Sequence, residues 1–302
     1  MIRLLIVGSK GFIGLHALQY FSVKAEYIVY GSDVVADYVS RNYFQIDAAN
    51  SDFQELFQQI PFDVCVNCSG AASVPDSLVH PHRDFLLNTV NVYKILDAIR
   101  KYSPACRFIN LSSAAVYGNP PHLPVKEDEI CNPVSPYGCH KQQAEMICKE
   151  FYVYFGIKTC SMRIFSAYGE GLKKQLFWDL AQKTKLNNTI ALYGTGDESR
   201  DFIHVEDIVR SMELIVKNAA FKAEHYNIAN GVQVPVREAA SLLLHHLHYE
   251  GRLVFQGNRR PGDPIYWQAD ISTIFQFGYS PGYSIDKGLK RYAEWLQEEK
   301  LV

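Results

Sequence analysis

The chain has 302 residues, of which 48% are apolar or aromatic, and its formal net charge at pH 7 is −2. A chain of this size can bury a sizeable core in one large domain or in two fused ones, which excludes a small disulfide-stapled scaffold. The basic residues are scattered along the sequence, so we predict no binding to nucleic acid.

The sequence predicts neither a secretory signal nor a membrane span. The apolar run at its start is soon interrupted by Gly8, and no later apolar run approaches the length needed to cross a membrane. Seven cysteines without a signal indicate reduced thiols. We therefore expect a cytoplasmic protein with no membrane partner. Neither the CxxC spacing of Cys65 and Cys68 nor the histidines at residues 245–248 predicts a metal site, because in each case the side chains diverge.

The first motif is a glycine-rich loop. An apolar strand over residues 4–7 leads directly into Gly8, Gly11 and Gly14, which open a helix. Such glycines allow a tight turn and let a pyrophosphate approach the helix N-terminus. A second strand leads to Asp33, where a carboxylate would hydrogen-bond a ribose 2′-hydroxyl. Together these features predict a dinucleotide site.

Two acids and one lysine bear on the identity of the dinucleotide. Asp33 would repel the 2′-phosphate of NADP and so favours NAD, whereas Lys10 in the glycine-rich loop points towards NADP. Asp47, after a third strand, could meet the adenine amine or could simply cap a helix or loop. We predict NAD as the cofactor, with Asp33 and Asp47 among its binding residues.

Strands and helices alternate through the first half of the chain. Further strands are predicted over residues 42–46, 63–68, 108–111 and 158–163, and helices over residues 52–60 and 81–102. This alternation is typical of a doubly wound α/β fold with a parallel, Rossmann-like sheet, in which ligands bind at the carboxyl ends of the strands. Ser112 and Ser113 follow the fifth strand, so we expect them beside the cofactor.

A helix that begins at Pro136 places Tyr137 and Lys141 four residues apart on one face. An ammonium about 4.5 Å from a phenol, at an effective dielectric of about 20, would favour the phenolate by about 4 kcal/mol and lower its pKa by about three. Tyr137 could then act as an acid or base near neutral pH. Taken alone, the spacing also fits an exposed Tyr and Lys on a solvated helix face.

The order and spacing of these motifs resemble one family. Its signature includes the glycine-rich loop, the run from Leu111 to Gly118 and the pair Tyr137-x-x-x-Lys141, and residues 194–207 and 260–263 look like its two segments that grip a diphosphate. The chain is similar to the extended short-chain dehydrogenases/reductases, specifically the NAD-dependent nucleotide-sugar epimerase/dehydratase group. The resemblance covers nearly the whole chain.

The resemblance implies a role for each motif residue. Tyr137 would be the catalytic acid/base, and Lys141 would set its pKa and bind the cofactor ribose. Ser113 would hydrogen-bond the reacting sugar oxygen. Arg200 and Arg260 would grip the diphosphate of a nucleotide-sugar substrate, because a guanidinium forms bidentate, charge-assisted bonds to phosphate oxygens.

Departures from the family pattern narrow the chemistry. The family's dehydratases carry an Asp-Glu pair, or at least a Glu, directly after the catalytic Ser or Thr. Here these positions are Ala114 and Ala115, which cannot move a proton, so 4,6-dehydration is disfavoured. Ser166 stands where many relatives have an Asn that contacts the substrate. His140 points away from the Tyr137 face of the helix, and we assign it no catalytic role.

Residues 1–165 are expected to form the cofactor domain and residues 166–302 the smaller C-terminal α/β substrate domain, with residues 205–229 returning to the large sheet. The resemblance also implies a homodimer that packs through the helices beginning near Pro81 and Pro136.

Three functions stay open at this point. An epimerase would take a hydride from C4 of the sugar and return it to the other face of a 4-keto intermediate. A reductase would consume NAD(P)H on a keto sugar made by another enzyme, and a non-catalytic nucleotide sensor would not need Ser113, Tyr137 and Lys141 together. We favour the NAD-dependent epimerase of a nucleoside-diphosphate hexose, because Asp33 indicates NAD, whose cellular pool is mostly oxidised.

Overall fold

The computed structural model describes residues 1–48, 51–186, 188–258 and 262–302. The strands in these ranges are β1 (Ile2–Val7), β2 (Tyr27–Asp33), β3 (Tyr43–Gln45), β4 (Val64–Asn67), β5 (Arg107–Ser113), β6 (Thr159–Ile164), β7 (Ser166–Tyr168), β8 (Thr189–Leu192), β9 (Ser199–Arg200), β10 (Phe202–His204), β11 (Lys222–Ile228), β12 (Val234–Pro235) and β13 (Arg252–Phe255). The helices are α1 (Phe12–Ser22), α2 (Gln54–Gln59), α3 (Val74–Val79), α4 (Pro81–Phe85), α5 (Asn91–Tyr102), α6 (Pro136–Phe155), α7 (Gln175–Thr184), α8 (Val205–Asn218), α9 (Val236–His246), α10 (Ser272–Phe275) and α11 (Ile285–Glu298). None of the helices in these ranges has the length and apolar character needed to cross a membrane.

Seven parallel strands form the central sheet, in the order β3-β2-β1-β4-β5-β6-β11. This confirms the predicted doubly wound, Rossmann-like sheet. The chain runs outward from β1 through β2 to β3 and then crosses back to β4, so the direction of winding reverses between β1 and β4. Ligands of such folds bind in the crevice at the carboxyl ends of the strands at this reversal.

The sheet is buried on both faces, which is why β1 and β4 are almost wholly apolar. Leu4 and Ile6 pack with helices α1 and α8 on one face, whereas Leu5 and Val7 pack with α2, α5 and α6 on the other. All four side chains are at most 2% exposed. A fully buried aliphatic side chain contributes about 1.5–3 kcal/mol, so these four side chains together bind the sheet to the helices on both of its faces.

The second half of the chain divides its elements between two cores. Helix α8 packs on the central sheet, and β11 extends that sheet by pairing with β6. Helices α7, α9 and α11 and the β8–β13 pair surround a separate core, whose fully buried members include Leu180, Leu243, Leu289 and Leu296. The chain thus has the expected smaller C-terminal α/β part, while the domain boundary at residue 165 stays a prediction.

The helix predicted over residues 81–102 differs from the observed one. The observed segment consists of α4, a π-helical turn at Leu86–Val90, and α5. A π turn adds one residue to a helical turn and so changes which side chains share a face. Asn88 lies in this turn and is 1% exposed. The other predicted elements differ from the observed bounds mainly by a few residues at their ends, where assignment is least certain from pattern alone.

A buried ion pair holds α6 against the sheet. Arg163 of β6 donates to the two carboxylate oxygens of Glu145 on α6, at 3.0 and 2.8 Å, and both side chains are at most 5% exposed. Glu145 Oε1 also accepts a hydrogen bond from Ser112 Oγ at 2.5 Å, and Arg163 Nη1 donates to Tyr117 Oη at 2.9 Å. These bonds join α6 to β5 and β6.

We predict that Arg163→Met lowers the free energy of unfolding by about 3–5 kcal/mol, because it leaves the Glu145 charge buried without its main cation. Arg3→Met is the matched control, since Arg3 pairs with Asp63 at the surface and its loss should cost about 1 kcal/mol or less. Urea titration of both variants measures the difference. Equal losses in the two variants would contradict the importance of the buried pair.

Candidate active site

The glycine-rich loop is closed by backbone contacts that leave no room for side chains. Gly8 has φ of +80°, and a Cβ on Gly8 would lie 2.6 Å from the backbone nitrogen of Ser69 in the loop after β4. A Cβ on Gly14 would lie 2.0 Å from the Gly8 carbonyl oxygen, to which the Gly11 N–H donates at 3.1 Å. Glycine is therefore required at positions 8 and 14, and the loop offers bare backbone at the carboxyl edge of the sheet.

Helix α1 begins directly after this loop and points its N-terminus at the same edge. Among the described residues no side chain caps α1, and its first turn contains no acidic residue. Its first N–H groups and the positive end of its dipole are thus available to an anion. A pyrophosphate is the anion that such a glycine-rich turn and helix typically bind.

Asp33 lies beside the loop, at the end of β2. Its Oδ2 accepts a hydrogen bond from the Lys10 N–H at 2.9 Å, and its Oδ1 accepts one from the Val34 N–H at 2.8 Å. The Lys10 ammonium pairs with the Asp37 carboxylate, which also accepts the Ser40 N–H at 3.0 Å. The Lys10 ammonium holds the pKa of Asp37 below its usual range. The Lys10 ammonium, the feature of the sequence that favours NADP, is therefore already paired with the Asp37 carboxylate.

A buried amide that the sequence analysis did not single out faces the loop after β4. Neither polar atom of the Asn88 side chain, Oδ1 or Nδ2, has a hydrogen-bond partner among the described residues. A Cβ on Gly70 would lie 2.5 Å from Asn88 Oδ1 and 3.6 Å from Lys141 Nζ, so the bare backbone of Gly70 adjoins both polar groups. Buried polar atoms without partners call for an explanation. Together with the glycine-rich loop, they fit a bound dinucleotide.

Tyr137 and Lys141 lie together at the start of α6, but their electrostatics differ from the prediction. Lys141 Nζ is 5.9 Å from the centre of the Tyr137 ring and donates to the Leu111 carbonyl oxygen at 2.8 Å. Burial raises the pKa of Tyr137 to about 12, against the opposing effect of a hydrogen bond with Ser113. Burial also lowers the pKa of Lys141 to about 8, although Asp84 acts in the opposite direction.

The prediction of a lowered pKa for Tyr137 is therefore wrong, because burial outweighs the other influences on the phenol. It assumed charges interacting through partly solvated surroundings, whereas loss of water disfavours the charged form of both groups. The pair nevertheless keeps a useful titration. Lys141, beside the Tyr137 ring, loses its proton near pH 8, because burial lowers its pKa to about that value. Together they can supply an acid or a base near neutral pH.

Ser113 is the last residue of β5 and lies at the same edge of the sheet as Tyr137. Its Oγ accepts a hydrogen bond from the Ala115 N–H at 3.1 Å and so caps the 3-10 turn at Ala114–Val116. Ser113, Ala115 and Tyr137 all line one cleft of about 470 Å³. Ser112, the other candidate, is 4% exposed and donates to Glu145, which leaves Ser113 as the more accessible hydroxyl.

The far side of this cleft comes from the C-terminal part of the chain. Arg200 of β9 lines it, as do Ser166 and Asp263. The Arg200 guanidinium is 5.7 Å from the Trp267 ring centre, and it donates from Nη1 to the Ser199 carbonyl oxygen at 2.9 Å. Burial lowers the pKa of Arg200, with Asp263 opposing the shift.

The structure thus unites some predicted site residues and separates others. One cleft contains Ser113, Tyr137 and Arg200, with Lys141 behind Tyr137, whereas Gly8, Gly11, Gly14 and Asp33 form an adjoining part of the edge. Asp47 is exposed after β3, one strand further out than Asp33. Arg260 lies outside the described residues.

Fold and site together define a dinucleotide-binding α/β enzyme with a serine, a tyrosine and a lysine at the carboxyl edge of its parallel sheet. The sequence profile of the NAD dependent epimerase/dehydratase family matches residues 4–229, and the chain belongs to this family. Its cofactor is NAD, which the residues at the glycine-rich loop fit.

Relatives are similar over nearly the full chain. A Methanocaldococcus jannaschii protein with the provisional name UDP-glucose 4-epimerase is 27% identical over 97% of this chain and 98% of its own length. UDP-glucuronate 4-epimerase 2 of Arabidopsis thaliana is 23% identical over 97% of this chain and 75% of its own length. The solved Bacillus cereus UDP-glucuronic acid 4-epimerase, in complex with UDP-glucuronic acid and NAD, is 25% identical, with a TM-score of 0.89 and coverage of 99% of this chain and 100% of that one.

We predict that Asp37→Asn raises the affinity for NADP relative to NAD by about tenfold, because it frees the Lys10 ammonium for a 2′-phosphate and each 1.4 kcal/mol corresponds to a factor of ten. Asp97→Asn, which removes a surface acid paired with Arg100 and Lys101, should change neither affinity. Calorimetric titration of both cofactors measures the ratio. An unchanged ratio in Asp37→Asn would mean that the Lys10–Asp37 pair has no part in cofactor choice.

Proposed function

We propose that this chain is an NAD-dependent epimerase that inverts C4 of a nucleoside-diphosphate hexose through a transient 4-keto sugar. The observation that carries the proposal is the single cleft that holds Ser113, Tyr137 and Arg200 beside the glycine-rich loop. The names of the relatives make UDP-hexoses and UDP-hexuronic acids the first substrates to test.

Each side chain of the cleft has a distinct task in this mechanism. Tyr137 removes the proton of the C4 hydroxyl, and it returns one when the carbonyl is reduced. Lys141 carries the proton taken from the sugar as an ammonium while the 4-keto intermediate exists, and Ser113 holds the C4 oxygen by a hydrogen bond. Arg200 binds the diphosphate, so that the sugar reaches the sheet edge while the nucleotide remains in the C-terminal part of the cleft. The glycine-rich loop and Asp33 would hold NAD, which would supply the acceptor and donor for the C4 hydride.

The residues after Ser113 support epimerisation over dehydration. Ala114 is fully buried, and Ala115 lines the cleft next to Ser113. Eliminating water requires its own acid and base, and a methyl group can supply neither. Reversible oxidation at one carbinol needs only the groups that are present.

We also propose a cytoplasmic homodimer. The helices that begin near Pro81 and Pro136 expose apolar side chains, each at least 37% accessible: Phe85, Leu86 and Tyr93 on the first, and Met146, Val153 and Tyr154 on the second. A second copy of the chain, packing these helices together, would cover such a surface. The seven unpaired thiols fit a reducing compartment. Sedimentation equilibrium of the wild-type chain tests the dimer.

A deuterium assay tests the epimerase directly. Purified protein without added cofactor is incubated with UDP-, dTDP- and GDP-sugars that carry deuterium at C4. We expect an inverted product that retains the deuterium and no net NADH, because the hydride removed is the hydride returned. Stoichiometric oxidation of NAD(P)H, seen only with 4-keto sugars, would instead establish the reductase.

We predict that Tyr137→Phe lowers turnover by about 10²-fold or more while NAD affinity and folding stay nearly unchanged, because it removes the acid/base but keeps the ring. Tyr117→Phe is a matched control, since Tyr117 is fully buried and donates to Asn227 at 2.7 Å. Its loss should affect stability more than turnover per folded molecule. Retention of over half the wild-type turnover by Tyr137→Phe would remove Tyr137 from the mechanism.

We predict that Arg200→Ala weakens binding of a nucleoside diphosphate by about 1.5–3 kcal/mol, which is the contribution of a charge-assisted hydrogen bond. NAD affinity should change little, because Arg200 lies on the substrate side of the cleft. Calorimetry with UDP and with NAD measures both. Parallel losses for the two ligands would indicate general damage rather than a diphosphate contact.

A further inference from the structure

The buried carboxylate of Asp84 is a neighbour of the proposed catalytic pair, Tyr137 and Lys141. The Asp84 side chain is completely inaccessible to solvent, and its Oδ2 accepts a hydrogen bond at 2.6 Å from the Nδ1–H of His140. The ring must donate here in either protonation state, because a carboxylate can only accept. The other oxygen, Oδ1, has no hydrogen-bond partner among the described residues. A charge held in this way is costly to bury and calls for an explanation.

The position of Asp84 connects it to the site. It lies on α4, four residues before Asn88, and Asn88 Oδ1 and Lys141 Nζ both flank Gly70. His140 immediately precedes Lys141 on α6, and its carbonyl oxygen accepts a hydrogen bond from Thr89 Oγ1 at 3.1 Å. Asp84 is thus fixed between the helix that bears the proposed catalytic pair and the turn that bears Asn88.

We propose that Asp84, held by His140, is a positioning residue whose negative charge sets the pH range in which Tyr137 and Lys141 share one proton. The inference rests on the proposed function, because it assigns Asp84 a part in the same reaction. A negative charge favours the protonated form of every neighbouring group. Asp84 therefore favours the Lys141 ammonium and the Tyr137 phenol, and in Lys141 it opposes the effect of burial.

The other groups that act on Lys141 are neutral or already paired. Cys68, after β4, is a thiol whose pKa burial raises to about 12, so it is uncharged near neutral pH. Glu145, one turn further along α6, is paired with Arg163 of β6 and contacts His225 of β11 at 3.3 Å. From β5, Lys141 meets only the Leu111 carbonyl oxygen among the described contacts. Of the acids that act on Lys141, Asp84 is the one for which the described residues supply no guanidinium or ammonium partner.

The test compares Asp84→Asn with the wild-type enzyme. The asparagine keeps the shape and an acceptor for His140 but removes the charge, so both pKa values of the coupled pair should fall. We expect both limbs of the pH profile of turnover to move to lower pH by about one unit. Asp97→Asn, the surface control on α5, should leave the profile in place. An unmoved profile in Asp84→Asn, or activity lost equally at every pH, would overturn the proposal.

A second readout does not depend on activity. In NAD-loaded protein with ¹³C-labelled lysine, the Lys141 resonance is the one missing from Lys141→Arg, and its titration midpoint should fall by about one pH unit in Asp84→Asn. An unchanged midpoint would overturn the role of Asp84 even in a protein that turns over no nucleotide sugar. The lack of turnover, by contrast, would refute the epimerase and leave the titration result standing.

A double variant keeps the proposal testable if Asp84→Asn does not fold. Asp84→Leu/His140→Leu replaces the buried polar pair with apolar side chains, a change that is often neutral or stabilising. It should shift the Lys141 midpoint in the same direction as Asp84→Asn. No shift, or a shift in the opposite direction, would show that the pair of His140 and Asp84 does not act as a negative charge and would overturn the proposal.

Discussion

The buried ion pair between Arg163 and Glu145 is the constraint on which the active-site geometry depends. It fixes α6 to β6, and through Ser112 it fixes α6 to β5 as well. Tyr137 and Lys141 lie on the same helix, two turns and one turn before Glu145 respectively, so the pair that holds the helix also places the proposed acid/base at the carboxyl edge of the sheet. An ion pair in this position costs desolvation, but its geometry satisfies several donors at once.

Burial, more than the attraction between charges, governs the chemistry of this edge. Lys141 is 6% exposed, and loss of water moves its pKa towards neutrality while it moves that of Tyr137 away. The near-neutral titration therefore belongs to Lys141, which lies beside the Tyr137 ring. Acidic neighbours such as Asp84 then matter more than they would at a surface, because the surrounding low dielectric hardly screens them.

Motifs of local geometry were predictable from the sequence, and contacts between distant segments were not. The glycine spacing predicted a loop with no room for side chains, since a turn of this kind depends on residues a few positions apart. The role of Asn88 stayed hidden, because a π turn interrupts the helical periodicity and moves it onto another face. His140 is identifiable in the sequence as the neighbour of Lys141, but its partner Asp84 lies on another helix.

The sequence by itself determined the doubly wound sheet, the order of its motifs and the helix that contains both Tyr137 and Lys141. Strand periodicity, glycine turns and helix spacing depend on residues that are close together along the chain. Only the tertiary structure decided the protonation behaviour of that pair, the neutralisation of Lys10 by Asp37 and the union of Arg200 with Ser113 in one cleft. Desolvation and ion pairing depend on which remote segments exclude water and bring charge close, and that information exists only after the chain has folded.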